Sequence, residues 1–249
     1  MPKRGKDTAV RLTSEQIVER LVDAATTLLA QAGPAEIKAR TVAETAQVST
    51  MAVYYHVGGL PELLQAVIDQ GFRDLDRAFR RVPRSEDPAA DLFGIALACR
   101  SLAQANPHLY DLMFGLSTRR GYRQLRPSRA GSMARSEAFQ AAYSHLLQEC
   151  ARFVESGRIR RDENPEVVAT QLWSCVHGFV TLELGDHFAQ FPDPVSQVLA
   201  STMVNILVGL GDTPESARSS LVAAVRAHEE SSDRDVLTRP TSARSAGAP

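Results

Sequence analysis

The sequence predicts an all-α chain in two parts, a small three-helix unit followed by a larger helical one. Three observations carry that expectation. Apolar residues recur at helical spacing in segment after segment, as Ile17, Val18, Leu21, Val22, Ala25, Leu28 and Leu29 do in the first. Prolines stand where helices open, at Pro61, Pro88, Pro165, Pro194 and Pro214, because a first-turn residue has no intrahelical use for its amide. No stretch alternates apolar and polar residues with the period of a strand, and no segment repeats another.

A chain of 249 residues can bury a sizeable core in one or two domains. Its 44% apolar and 23% charged residues are ordinary for a globular protein. The net charge is −1, so any affinity for nucleic acid has to come from a local patch. Cys99, Cys150 and Cys175 are odd in number, far apart and without a C-x-x-C pair. They read as buried thiols in a reducing compartment, not as a disulfide framework or a zinc site. The N-terminus lacks the apolar core of a signal peptide, and a cytoplasmic location is expected. The longest uncharged run, 194–211, contains Ser196, Gln197, Ser201, Thr202 and Asn205, so a buried helix is expected there and no membrane partner.

In order along the chain, residues 1–12 form a basic arm with Lys3, Arg4, Lys6 and Arg11 against the single acid Asp7. It reads equally as a frayed, solvated terminus and as an arm that touches phosphates or a minor groove. Residues 13–32 form a helix opened by a Thr13-x-x-Gln16 capping box and stopped by Gly33-Pro34. Thr41 and Glu44 have the spacing of a second capping box, with Val42, Ala43 and Ala46 inward and Val48 plugging the turn. Ser49 is a good N-cap for a short helix over 50–56. That helix is too short to stand alone, so Val53 and Val57 have to pack on its neighbours. What it leaves outside is Thr50, Met51, Tyr54, Tyr55 and His56, and a rigidly mounted short helix of this kind fits a major groove.

These residues also carry a resemblance. The pattern A-x-x-A-x-V-S-x-x-x-V-Y-Y-H-V-x-x-x-x-E-L-L, from Ala43 to Leu64, resembles the DNA-binding region of TetR-family transcriptional regulators. The resemblance implies a helix-turn-helix DNA-binding domain over 13–60 and a helical ligand-binding and dimerisation domain over 61–230, followed by a disordered tail over 231–249. It implies a dimer that holds double-stranded operator DNA and is released by a small molecule, most simply as a repressor. By position, Arg40 reads a base from the start of the first short helix, with Thr41 beside it. Thr50, Met51 and Ala52 face bases from the second, and Tyr54, Tyr55 and His56 mostly contact phosphates. Three departures stand out. Gln47 occupies the place of the usual turn glycine, Leu60 that of a phosphate-binding lysine, and Val57 that of a common phenylalanine.

The larger part continues with helices expected over 61–81, 88–105, 137–157, 165–187, 194–210 and 214–230, and a short segment over 107–116. Residues 117–136 hold six arginines and no acid; they read first as a solvated loop, and otherwise as a lid over an anionic ligand or an extra phosphate contact. The helix after Pro165 carries Trp173, His177 and Gly178, a pattern that weakly resembles one TetR subgroup. Trp173, His177 and Leu184 share one helix face. That face suits a largely apolar effector pocket with one polar anchor, with His108, Tyr110, Met113 and Phe114 as the opposite wall. It suits equally a packed core in which His177 bonds a carbonyl. Residues 166–184 and 195–210 are apolar on more than one face, as a two-fold dimer interface requires.

Other chemistries find little support. Glu183 and His187 are four apart and can share a metal, but His177 lies ten residues earlier on another face. No G-x-S-x-G elbow, P-loop or G-x-G-x-x-G is present, so no enzyme, metal or cofactor is expected. A helical adaptor that binds only protein is the alternative, and it leaves Tyr54, Tyr55 and His56 without a use.

Overall fold

The computed structural model describes residues 12–114 and 136–238, the side chains of 232–238 excepted. Among the described residues every element is helical. They are α1 (Ser14–Ala32), α2 (Ala39–Thr45), α3 (Thr50–Ala52), α4 (Leu60–Arg81), α5 (Pro88–Ala105), α6 (Pro107–Phe114), α7 (Glu137–Glu155), α8 (Pro165–Leu184), α9 (Ser201–Leu210) and α10 (Pro214–Thr238). Two segments are π-wound: Val53–Val57 continues α3, and Val195–Ala200 leads into α9. The chain divides into two compact units, residues 1–73 with 106–139, and 74–105 with 140–249.

In the first unit α1 opens with the expected capping box. Thr13 Oγ1 accepts from the amide of Gln16 at 3.2 Å, and the Gln16 side chain accepts from the amide of Thr13 at 2.9 Å. Leu21, Val22, Ala25 and Leu29 face inward, and α1 packs on α2 and on the Val53–Val57 segment, where Val42, Ala43 and Val53 are buried. α6 packs on α1 as well, burying Leu109, Tyr110 and Met113. An aromatic cluster completes the core. Phe72 meets Phe114 and Phe139 edge-on at 5.6 and 5.3 Å, and Tyr110 lies 4.7 Å from Phe114. This unit therefore reaches beyond residues 13–60, because α6 brings its apolar face back to α1.

One expected feature is corrected. α2 starts at Ala39, capped at Lys38 without a side-chain bond, so Thr41 lies inside the helix and forms no capping box. Glu44 accepts instead from Arg40 at 2.8 Å, one helical turn back.

In the second unit α5 is buried on almost every side, from Pro88 to Cys99, and packs on α8 and α10. A helix apolar all round needs such a central place. Asp87 caps it, accepting from the amides of Ala89 and Ala90 at 3.0 and 3.2 Å. Asp91 is buried within it and is satisfied by the Ser85 amide and hydroxyl and by Arg152 Nη1 at 2.8 Å. Arg100 clasps Glu183 near the end of α8, with its Nε 2.8 Å from Oε2 and its Nη2 2.7 Å from Oε1.

α8 opens as the Asn-Pro pair suggests, with Asn164 Oδ1 accepting from the Glu166 amide at 2.8 Å. It ends at Leu184, three residues before His187, where Asp186 turns to φ 61°. By length and composition α8 could cross a membrane, but Val168, Ala169, Leu172, Val176, Phe179 and Val180 are buried as in a core helix. α10 continues to Thr238, into the segment expected as tail.

Candidate nucleic-acid interface and effector pocket

The turn between α2 and α3 is tight. The amides of Gln47 and Val48 donate to Glu44 O at 3.1 Å and Ala43 O at 2.9 Å. Gln47 takes the left-handed conformation with φ 57°, which the missing glycine would adopt without cost. Ser49 stands at the N-cap of α3, although its side chain makes no cap bond. Val53 is fully buried and anchors the segment. The π winding over Val53–Val57 then sends Tyr54 and Tyr55 outward, and Gly58 at φ 102° ends it.

The result is a rigid, exposed array. Met51 is 70% exposed, Tyr54 54% and Tyr55 84%. Thr50 is exposed, Ala52 and Thr41 are half-buried, and Arg40 is exposed on α2 with Glu44 as its partner. Large apolar surface held in water by a buried anchor marks a contact surface. His56 is half-buried, and its Nδ1 lies 2.8 Å from Ser14 Oγ on α1. Lys3 and Arg4 lie outside the described residues, as do residues 117–135 of the arginine-rich segment.

In the second unit the rings of Trp173 and His177 lie 4.1 Å apart, tilted by 43°, on one face of α8, with Tyr143 edge-on to Trp173 at 5.3 Å. Both line a small cavity with Phe79, Leu92, Ile95, Cys99, Leu146, Leu172 and Met203. The space is about 20 Å³, room for a single water. Burial pushes the His177 pKa down to about 3, so the ring is neutral at physiological pH. Burial likewise lifts the Cys99 and Cys150 thiols to about 12 and makes them poor nucleophiles. His108, Tyr110, Met113 and Phe114, expected as the far wall, belong to the first unit. There Tyr110 and Met113 are core, Phe114 joins the Phe72 cluster, and His108 lies against Gly33. Among the described residues no group of three metal-binding side chains occurs.

Residues 92–206 match the family model of the tetracyclin repressor-like C-terminal domain. Over those residues the chain resembles the C-terminal domain of TetR-family proteins. Solved structures extend the likeness in fold over most of its length. A protein with unknown function from Rhodococcus sp. RHA1 is 22% identical, with a TM-score of 0.67 over 83% of this chain and all of that one. RolR in complex with resorcinol is 18% identical, with a TM-score of 0.58 over 84% of this chain and 94% of its own. The TetR Family Transcriptional Regulator PfmR from Thermus thermophilus is 18% identical, with a TM-score of 0.52 over 77% of this chain and 98% of its own. No curated protein matches by sequence.

Helical spacing alone does not bring Phe79, Leu146, Leu172 and Met203 together around His177. Their shared cavity joins five helices, and helical spacing fixes a residue's face without naming what faces it. Ser14 was missed altogether: forty-two residues separate it from His56, and only the packing of α1 joins them.

Proposed function

We propose that this protein is a dimeric, effector-responsive transcriptional regulator acting in the cytoplasm as a repressor, with the segment around Thr50 to His56 as its DNA contact. The observation that carries the reading is the exposed Met51, Tyr54 and Tyr55 on a short segment anchored by fully buried Val53. A protein-binding adaptor needs no such rigid mount behind a turn that forces Gln47 to φ 57°. Arg40, Thr41, Thr50, Met51 and Ala52 are assigned to base edges, and Tyr54, Tyr55 and His56 to phosphates. Lys3 and Arg4 are assigned to the arm that follows the duplex backbone.

Dimerisation is assigned to α8 and α9. Val167 and Leu182 of α8 are 49% and 44% exposed, and α8 and α9 border an open groove that includes Val167, Thr170, Ile206 and Leu210. A second copy covers such faces with two-fold symmetry, and the operator is then a near-palindrome. The effector is assigned to the Trp173–His177 face of α8, where a small cavity lies; RolR, of similar fold, binds resorcinol. The effector is mostly apolar and uncharged, since neutral His177 and the Trp173 indole N–H are the polar groups among otherwise apolar lining residues. A cavity of about 20 Å³ has to widen to admit it.

Selection of bound sequences from random DNA, followed by a salt titration on the winner, tests the proposal. A near-palindromic site whose affinity falls steeply with salt is expected. Absence of any selected sequence, or a monomer at micromolar concentration in the ultracentrifuge, overturns it.

A further inference from the structure

We propose that Ser14, on α1, is a positioning residue for DNA binding: its hydroxyl fixes the His56 ring so that Nε2 presents a proton to a phosphate. The inference rests on the DNA-binding reading above. It starts from one contact between distant parts of the chain, Ser14 Oγ to His56 Nδ1 at 2.8 Å.

A neutral imidazole has one donor and one acceptor nitrogen, and a serine hydroxyl can play either part. Three arrangements are open. If Ser14 donates to Nδ1, the ring proton sits on Nε2. If the ring is cationic, both nitrogens carry protons and Nδ1 donates to Ser14. If a neutral ring donates from Nδ1, Nε2 is a bare acceptor. A phosphate oxygen only accepts, so it is served by the first two arrangements and repelled by the third. Which part the hydroxyl plays thereby decides whether Nε2 can donate to an anion, and the proposal assigns it the donor's part.

The surroundings suit this role. Ser14 stands in the first turn of a 19-residue helix whose start is fixed by the Thr13–Gln16 capping box, so its hydroxyl has a stable mount. Tyr55 meets the His56 ring edge-on at 4.9 Å and limits its tilt. Among the described residues Nε2 has no partner, and the ring is half-buried, so that nitrogen is the one left to meet a ligand. A surface hydrogen bond of this kind is worth little to folding, because water replaces it. Its value lies in ring orientation and tautomer, which a DNA contact reads and folding does not.

Two measurements test the assignment on the full chain. Nitrogen-15 spectra of the histidine ring report the tautomer without DNA. The Nε2–H form is expected in the native protein, and Ser14→Ala should shift the spectrum toward a mixture. Ser14→Thr should restore it. Native spectra with the proton on Nδ1, or spectra unchanged in Ser14→Ala, overturn the proposal. DNA titration supplies the second readout. Ser14→Ala should weaken binding about two- to tenfold, evenly across sequences, with no added loss in a His56→Ala background. A loss of equal size in that background shows that Ser14 touches DNA by itself and sinks the positioning role. If the native protein binds no DNA, the regulator reading fails while the ring spectra still decide the Ser14–His56 coupling.

Discussion

His56 and His177 each lie beside a larger aromatic ring, at 4.9 Å from Tyr55 and 4.1 Å from Trp173. Their surroundings are opposite. Tyr55 is 84% exposed on a segment of a few residues, while His177 is buried in the second unit among side chains from neighbouring helices. In the first region aromatic surface is displayed at little cost to stability, because one buried valine holds the segment. In the second the same kinds of side chain are packing, and any binding has to compete with that packing. The contrast separates residues kept for contact from residues kept for the fold, and stability measurements can break it.

The largest expected effect lies in the buried region. Leu172 lines the cavity and is fully buried, so Leu172→Ala should cost about 2–5 kcal/mol in urea unfolding. Tyr55→Ala should change stability by no more than about 0.5 kcal/mol. Similar losses in the two variants would mean that Tyr55 is also structural.

The next effect concerns pH. The folded His177 pKa lies near 3, below its ordinary value of 6.5. As pH falls below about 6.5 the unfolded ring takes up a proton and the folded ring does not. The stability that comes from a neutral buried ring is therefore complete above about pH 6.5 and is lost progressively toward pH 3. By pH 5 the loss should be about 2 kcal/mol. His177→Phe should flatten the dependence by that amount between pH 7 and pH 5. An unchanged slope would show that the ring reaches solvent, which would favour an open pocket.

Much of this contrast was legible in the sequence, and the limits are physical. The Thr13–Gln16 box, the Asn164-Pro165 start and the exposed Thr50, Met51, Tyr54 and Tyr55 all rest on spacings within one turn or two, where sequence distance and spatial distance agree, whereas His56, expected outside with them, is half-buried against Ser14. The Thr41 box failed because two earlier residues, Ala39 and Arg40, also fit the helix, and Glu44 bonds the Arg40 guanidinium instead. The buried Asp91 was unreadable, since its partner Arg152 is sixty-one residues away. The π winding at Val53–Val57 has no residue signature of its own. For the same reason the sequence named an effector wall, Tyr110 and Met113, that is core of the first unit: both residues are apolar and inward-facing, and spacing does not say which core they enter.

On the displayed side, Arg40→Ala should weaken specific DNA binding by about 1–3 kcal/mol and relax preference at one position per half-site. The guanidinium is exposed and held by Glu44 at 2.8 Å, a pair worth little in water, so it is free to exchange that partner for a guanine edge. Competition titrations against single-base variants of the selected site measure this. Equal loss on every sequence would place Arg40 on phosphate, beside Tyr54, whose Tyr54→Phe variant should lower affinity evenly.

The smallest effect tests the turn that mounts the displayed segment. Gln47 adopts φ 57°, where a side chain costs roughly 1–2 kcal/mol. The Gln47 and Val48 amides bond to Glu44 O and Ala43 O, so the turn is held by backbone alone and does not need the glutamine side chain. Gln47→Gly removes the strain but frees the unfolded chain, which takes back roughly 0.5–1 kcal/mol. The balance should be a gain of up to about 1 kcal/mol, read as a rise of roughly 2–4 °C in the melting temperature. Base preference should not change, because the turn keeps its geometry and Arg40, Thr50 and Met51 keep their places. A fall in melting temperature would show that the glutamine side chain itself stabilises the turn. A changed base preference would show that the rigidity of this turn, beyond its shape, sets which sequence the segment reads.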